Sequence, residues 1–144
     1  MQKTLIILFA IMGVCHINAQ TISTSQLIGT KWKNITSTDV CEEVCEFSKD
    51  SITTELRYVE NNKVVKFKEA YYVSPSIPAE FDNSEVGKNI TGAYIVMYNN
   101  FDGMDYYKFK KLDKGKGIMI LHLPYRDDVV GGMRNTDFTY KRIK

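Results

Sequence analysis

The chain has 144 residues, with 19 basic and 17 acidic side chains and a formal net charge of +2 at pH 7. A chain of this length can form one domain and bury a core without several disulfides. Lysines and acids are interspersed along it, so the sequence lacks the basic patch of a nucleic-acid-binding protein or of a protein attracted to anionic membranes.

The first residues predict an export signal. A basic start with Lys3 is followed by an almost continuous apolar run over residues 4–14 and by Ala19, the small residue of a cleavage site. The run is shorter than the roughly 20 residues of a membrane span. We therefore expect a signal peptide at 1–19, a mature domain at 20–144, and a secreted or periplasmic location. The alternative is a lipid anchor on Cys15, although Val14 is bulky for the preceding position.

The mature chain begins with a predicted helical turn and a strand. Residues 25–28 favour one helical turn, which Gly29 would end. Residues 30–36 predict a strand that carries Trp32, the only tryptophan. The next segment, residues 37–49, is acidic and predicts a loop or a short helix.

This acidic segment contains Cys41 and Cys45, the two cysteines that remain after cleavage. An even number of cysteines in an oxidising compartment favours a disulfide. On a helix their Cα atoms would lie about 6 Å apart, near the upper limit for a bridge. Free thiols are one alternative. A metal site is the other, with weak support because no second cysteine pair or histidine is near.

The rest of the chain predicts strands joined mostly by tight turns. Strands are expected at residues 51–59, 64–73, 89–98, 104–112, 118–123 and 137–143. The segment 89–98 is apolar on both faces, so we expect it to be covered on both sides. Tight turns are expected at 60–63, 99–103 and 113–117, and long loops at 74–88 and 124–136.

This pattern predicts an all-β fold. Sequential hairpins favour an antiparallel up-and-down meander. A meander of seven or eight strands tends to close into a barrel, because closure removes the exposed edge strands. A β-sandwich is the alternative.

Two short segments near the ends of the mature chain resemble a known family. Residues 27–33 are similar to the opening of lipocalin-like proteins, in which a helical turn and a glycine lead to a tryptophan on the first strand. Residues 138–142 resemble the last strand of the same group. The chain looks most like the small lipocalin-like (calycin) proteins exported by Bacteroidetes-type bacteria. The family spacing is Gly-x-Trp, whereas two residues separate Gly29 from Trp32 here.

The resemblance implies a barrel whose floor holds Trp32, with the basic side chain of Arg142 stacked over the indole. A barrel of about eight strands either fills with side chains or holds one small ligand. The predicted inner face comprises Trp32, Leu56, Tyr58, Phe67, Tyr71, Val96, Phe109, Ile120 and Tyr140.

The expected function is the binding of a small apolar ligand inside this barrel. The candidate ligand-binding residues are Tyr58, Phe67, Tyr71 and Phe109, with Glu69 as a polar anchor. A position on a strand bulge or near the rim is the alternative explanation for Glu69. The alternative function is a protein-interaction module, an inhibitor or surface-complex subunit, that uses the loops 74–88 and 124–136 with Phe81 and Tyr125 exposed.

No motif indicates catalysis. The mature chain has one histidine, His122, and the strand 118–123 that carries it contains no carboxylate. Adjacent carboxylates occur only in predicted loops, at 42–43 and 127–128, and Gly131-Gly132 lacks the lysine and helix of a phosphate-binding loop. We therefore expect no enzymatic activity, no cofactor and no metal.

Overall fold

The computed structural model describes residues 20–36, 39–123 and 136–144. The predicted leader 1–19, with Cys15, and residues 124–135 of the second long loop, with Tyr125, lie outside the described residues. The described ranges form ten strands: β1 (Ile22–Ser23), β2 (Lys31–Asn34), β3 (Cys41–Phe47), β4 (Ser51–Tyr58), β5 (Val64–Ser74), β6 (Thr91–Gly92), β7 (Tyr94–Asn99), β8 (Gly103–Asp113), β9 (Ile118–Leu123) and β10 (Thr136–Arg142). Two short 3₁₀ helices, Thr24–Gln26 and Asn83–Glu85, complete them. Neither helix has the length and hydropathy to cross a membrane.

Eight of these strands form a closed antiparallel barrel, in the order β10-β2-β3-β4-β5-β7-β8-β9. Neighbouring barrel strands are consecutive along the chain once β6, which lies outside the barrel, is left aside. The exception is the closure, where Arg142 pairs with Trp32 and Tyr140 with Asn34. The predicted all-β, up-and-down barrel of about eight strands is confirmed, and the sandwich alternative is wrong.

The N-terminal segment closes one end of the barrel, which we call the floor. β1 pairs with β6, and the following 3₁₀ helix ends in a turn at Gly29, whose φ is +78°. This turn was predicted, and glycine suits its left-handed backbone. The floor is a packed core of fully or almost fully buried side chains: Ile22, Leu27, Trp32, Phe47, Tyr71, Phe109 and Met119.

The segment between β5 and β6 covers part of the outer surface of the barrel. The ring centroid of Phe81 lies 5.1 Å from the ring centroid of Tyr72 on β5 and 5.2 Å from that of Tyr98 on β7. Val96, the cross-strand partner of Tyr72, is fully buried in this covered region. The predicted cover on both faces is therefore confirmed at Val96, whereas Tyr98 remains 39% exposed. The single strand predicted at 89–98 is wrong, because β6 and β7 divide this segment and β6 lies outside the barrel.

Two residues of the predicted inner face lie on the outer face instead. Side chains alternate between the two faces of a strand. Ile95 and Met97 face the interior, so Val96 points outward. Ile120 points outward for the same reason, between the inward-facing Met119 and Leu121. The predicted inward orientation of Val96 and Ile120 is therefore wrong. Their hydrophobic character did not distinguish the two faces of the strand.

The prediction of a loop or short helix at 37–49 is wrong for residues 41–47, which form β3. Cys41 and Cys45 lie four residues apart on this strand, a separation of about 13 Å. A disulfide needs Cα atoms within roughly 7 Å. Both cysteines are free, and the predicted Cys41–Cys45 disulfide is therefore wrong.

The two thiols should differ in reactivity. Cys41 is partly exposed, whereas Cys45 is buried, and burial together with the nearby Glu43 carboxylate raises the pKa of its thiol. We expect iodoacetamide at neutral pH to modify Cys41 in the folded protein and Cys45 only after unfolding, because the thiolate is the reactive form. Intact mass with and without urea checks this. Two thiols that appear only after reduction would contradict the strand geometry.

Candidate ligand-binding cavity

Above the floor, the barrel interior contains a cavity of about 880 Å³. It reaches the end of the barrel at which the turn of residues 100–102 joins β7 to β8. We call this end of the barrel the mouth. The volume falls within the range of about 300–1,000 Å³ that is usual for small-molecule sites.

Strand alternation determines which side chains reach the cavity. Every second residue of β4, β5 and β7 faces inward. The apolar part of the wall includes Ile52, Leu56, Val65, Phe67, Ile95 and Met97. Phe67 remains 41% exposed although it faces inward, so its ring is accessible from the cavity.

Glu43 on β3 is the first carboxylate of the wall. Its Oε1 accepts hydrogen bonds from the Tyr140 hydroxyl at 2.9 Å and the Cys45 thiol at 3.3 Å. Its Oε2 accepts one from the Asn34 amide at 3.0 Å. Burial raises the pKa of Tyr140, and the Glu43 carboxylate raises it further. These contacts from β2, β3 and β10 hold the carboxylate in one orientation.

Glu69 on β5 is the second carboxylate and is only 7% exposed. Its Oε1 accepts a hydrogen bond from the Asn99 amide at 2.8 Å. Burial raises the pKa of Glu69; the Asn99 hydrogen bond opposes this shift, and the carboxylates of Asp105 and Asp102 add to it. Glu69 lies in regular register opposite Ile52, so no bulge accounts for its position.

Of the five candidate ligand-binding residues, Phe67 and Glu69 line the cavity. Tyr71 and Phe109 lie in the floor instead, both fully buried. Tyr71 packs edge-on against Phe47, with ring centroids 5.5 Å apart, and its hydroxyl donates to the Ser48 carbonyl. Tyr58 is half-buried opposite Cys41 and does not belong to the described lining.

Barrel closure places Trp32 and Arg142 directly opposite each other on neighbouring strands. Trp32 is 1% exposed, and its Nε1 donates to the Thr30 hydroxyl at 2.7 Å. Arg142 is exposed, and its Nε donates to the Lys144 carbonyl at 2.8 Å. The stacking of the guanidinium on the indole stays a prediction.

His122 lies on the outer face of β9 and does not face the cavity. Its Nδ1 is 2.6 Å from Asp137 Oδ1 on β10. The Lys110 ammonium donates a hydrogen bond to Oδ2 of the same carboxylate. The Lys110 hydrogen bond, followed by that of His122, lowers the pKa of Asp137. The strand of His122 has no carboxylate, as the sequence shows, but the neighbouring strand supplies one.

Sequence reasoning missed Glu43, Asp102, Asp105 and Tyr107, which also line the cavity. A signal existed for Asp105 and Tyr107, because they alternate with Phe109 on the same strand. No such signal existed for Glu43, whose segment did not resemble a strand.

The donor groups of the cavity are distributed around its wall. In the part of the chain that the structure describes, no three His, Cys, Asp or Glu side chains converge closely enough to hold a metal ion. No family model matches the chain, and no curated protein or solved structure matches it. The chemistry of this site is therefore argued from its geometry.

Proposed function

We propose that this chain is an exported, lipocalin-like binding protein that holds one small ligand with an apolar body in its barrel. The observation that carries the proposal is the cavity of about 880 Å³ above a packed floor. The signal-like pattern of residues 1–19 supports export. The pairing of the first and last barrel strands at Trp32 and Arg142 is compatible with the lipocalin-like resemblance.

The distribution of side chains supports binding. An eight-stranded barrel can be filled entirely by its own side chains. Here the bulky residues Trp32, Tyr71 and Phe109 fill the floor, and the described side chains leave a cavity above them. An accessible aromatic ring such as Phe67 gives an apolar ligand a contact surface in that volume.

The cavity is a stronger candidate than the loops of the protein-interaction alternative. Phe81, the aromatic residue of the loop 74–88, is partly buried and packs on Tyr72 and Tyr98. Its ring is therefore used within the molecule. The aromatic residue of the other loop, Tyr125, lies outside the described residues.

A cavity-filling variant tests the proposal. We expect the uncharged probe N-phenyl-1-naphthylamine to bind the wild-type barrel and fluoresce. Leu56→Trp introduces an indole into the cavity wall and should weaken binding by about tenfold, which corresponds to about 1.4 kcal/mol. The matched control is Thr53→Trp, because Thr53 is exposed on the outer face of the same strand.

Fluorescence titration measures both dissociation constants, and circular dichroism establishes that both variants are folded. Thr53→Trp should bind the probe like the wild type. Equal weakening in the two variants, or no probe binding to the wild type, would contradict a ligand site inside the barrel.

A further inference from the structure

The lining of the cavity follows strand alternation on most of the barrel. On β3, β4, β8 and β9, every second residue of the described strand lines it, such as Ile52, Thr54 and Leu56 on β4. These strands therefore present one face to the cavity. On β5 and β7 the pattern differs, because residues of both faces line the cavity over 67–70 and over 97–99. The cavity therefore extends between these two strands as well as along the barrel axis.

The backbone pairing explains why the wall opens at this place. The ladder between β5 and β7 ends at the pair Ala70–Tyr98. The part of β5 that precedes Ala70 begins at Val64 and pairs with β4 on its other edge. β7 ends at Asn99, and the chain turns into β8. The described strands therefore leave a gap between β5 and the turn of residues 100–102, which we call the side portal.

Aromatic side chains border the side portal on both sides. The register of the ladder, continued past its last pair, places Phe67 of β5 opposite Phe101 of the turn. Both side chains line the cavity, and Phe101 is 97% exposed. Tyr98, which is also exposed, lies at the end of the ladder. A ligand that moves from water into the cavity by this route therefore meets apolar surface, and its contact with that surface is favourable.

The side chain of Asn99 fixes the turn at the edge of the side portal. Its Nδ2 donates to Oε1 of Glu69 at 2.8 Å, at the first position past the ladder. Its Oδ1 accepts hydrogen bonds from the backbone nitrogens of Phe101 at 2.8 Å and Asp102 at 2.7 Å. One amide group therefore joins the turn to β5 where the backbone ladder has ended. The side portal has a hydrogen-bonded edge, unlike a frayed strand end.

We propose that the ligand enters and leaves the barrel through the side portal, between Phe67 and Phe101, and that Asn99 positions the turn at its edge. This inference rests on the proposed function and specifies the access route to the same cavity. The packed floor closes the opposite end of the barrel. The competing route runs along the barrel axis at the mouth, and the rates of ligand exchange distinguish the two.

A removable cross-link tests this route. Lys68 and Asn100 are both exposed and lie opposite each other in the continued register. Lys68→Cys and Asn100→Cys are combined with Cys41→Ser, which removes the partly exposed native thiol, and are bridged with dithiobis(maleimidoethane). Stopped-flow fluorescence gives the association and dissociation rate constants of N-phenyl-1-naphthylamine. The bridge should lower both rate constants by about tenfold. Dithiothreitol, which cleaves the linker, should restore them.

The affinity should stay constant while the rates fall. An obstructed passage raises the barrier for entry and for exit equally, so the dissociation constant should remain within about twofold of that of the cleaved sample. The matched control is Glu55→Cys with Lys66→Cys, bridged in the same background. These residues are paired on the outer face of β4 and β5, with Lys66 Nζ 3.0 Å from Glu55 Oε2. A bridge between strands that are already paired should change neither rate constant.

Asn100→Trp is a second test that needs no cross-link. An indole at the edge of the side portal should lower both rate constants by about threefold. Glu60→Trp, on the exposed turn between β4 and β5 at the same end of the barrel, should change neither. Wild-type rates in both the bridged protein and Asn100→Trp, or equal slowing in the controls, overturn the side portal and leave the barrel site intact. If the wild type does not bind the probe, both proposals fail.

Discussion

Replacement of Trp32 by alanine is expected to lower the free energy of unfolding by about 3–5 kcal/mol, the usual cost of removing a large buried aromatic side chain. The indole is 1% exposed in the packed floor. Its Nε1 donates to Thr30, whose hydroxyl in turn donates to the Leu27 carbonyl. The substitution therefore leaves a cavity at the point where β2 closes the barrel against β10.

Urea denaturation followed by circular dichroism measures this change, since Trp32→Ala removes the only indole. Arg142→Ala is the companion variant, and its effect should stay below about 1 kcal/mol because the side chain is exposed. It should also shift the fluorescence of Trp32. A double-mutant cycle should give a coupling above the roughly 0.5 kcal/mol error of independent sites.

A loss below about 1 kcal/mol for Trp32→Ala would contradict the packed floor. Additive effects of the two substitutions would instead contradict only the stacking that the lipocalin-like resemblance implies. The two results are distinguishable because burial of Trp32 does not depend on the guanidinium of Arg142.

The hairpins were predictable because their signals are local. The polar turn 60–63 lies between two alternating segments, and β4 and β5 begin where those segments begin. Asn62 adopts a positive φ of 55° in this turn, as asparagine tolerates. Strand β9 occupies the predicted residues 118–123. Barrel closure was predictable only as a tendency, because it depends on pairing between the two ends of the mature chain.

The sequence pattern did not predict strand β3, because one of its inward-facing residues is a carboxylate of the cavity wall. Its inward-facing residues include Cys45 and Phe47 but also Glu43, whereas the apolar Val44 points outward. A carboxylate on the inner face and a valine on the outer face break the alternation on which strand prediction depends. Such conflicts between local pattern and fold are expected at functional sites. This interrupted alternation is the reason why neither β3 nor the inward orientation of Glu43 was predicted.

Glu69 was predictable as an inward-facing charge because it alternates with Phe67 and Tyr71 in a clear strand pattern. The depth of the cavity was not predictable, because it depends on how far the floor extends. Strand alternation directs Tyr71 and Phe109 into the barrel, as it does the cavity residues, but both side chains belong to the floor. Alternation specifies the face of a strand, whereas the level along the barrel depends on the N-terminal segment that packs beneath.

A side chain at Gly92 is expected to disrupt the pairing of β1 with β6. A Cβ atom placed there would lie 2.1 Å from the carbonyl oxygen of Ser74 and 2.6 Å from the nitrogen of Pro75. Both are backbone atoms, so no side-chain rotation relieves the clash. Gly92→Ala should therefore lower the free energy of unfolding by about 3 kcal/mol, at the upper end of the usual cost of overpacking.

Gly115→Ala is the matched control for this substitution. Its Cβ would make only an ordinary contact, 3.6 Å from the Asp113 carboxylate, and the stability should change by less than about 0.5 kcal/mol. Urea denaturation measures both variants. Equal stability of the two would mean that β6 can move away from Ser74 without loss.

The position of Gly92 predicts how this loss should relate to binding. Gly92 pairs with Ile22, a buried residue of the floor, so displacement of β6 loosens the packing beneath the cavity. The wall residues Phe67, Glu69 and Asp105 belong to barrel strands whose pairing does not involve β6. The folded fraction of Gly92→Ala should therefore bind N-phenyl-1-naphthylamine with the wild-type dissociation constant while its urea midpoint falls. A parallel loss of affinity would show that the cavity depends on the floor below it.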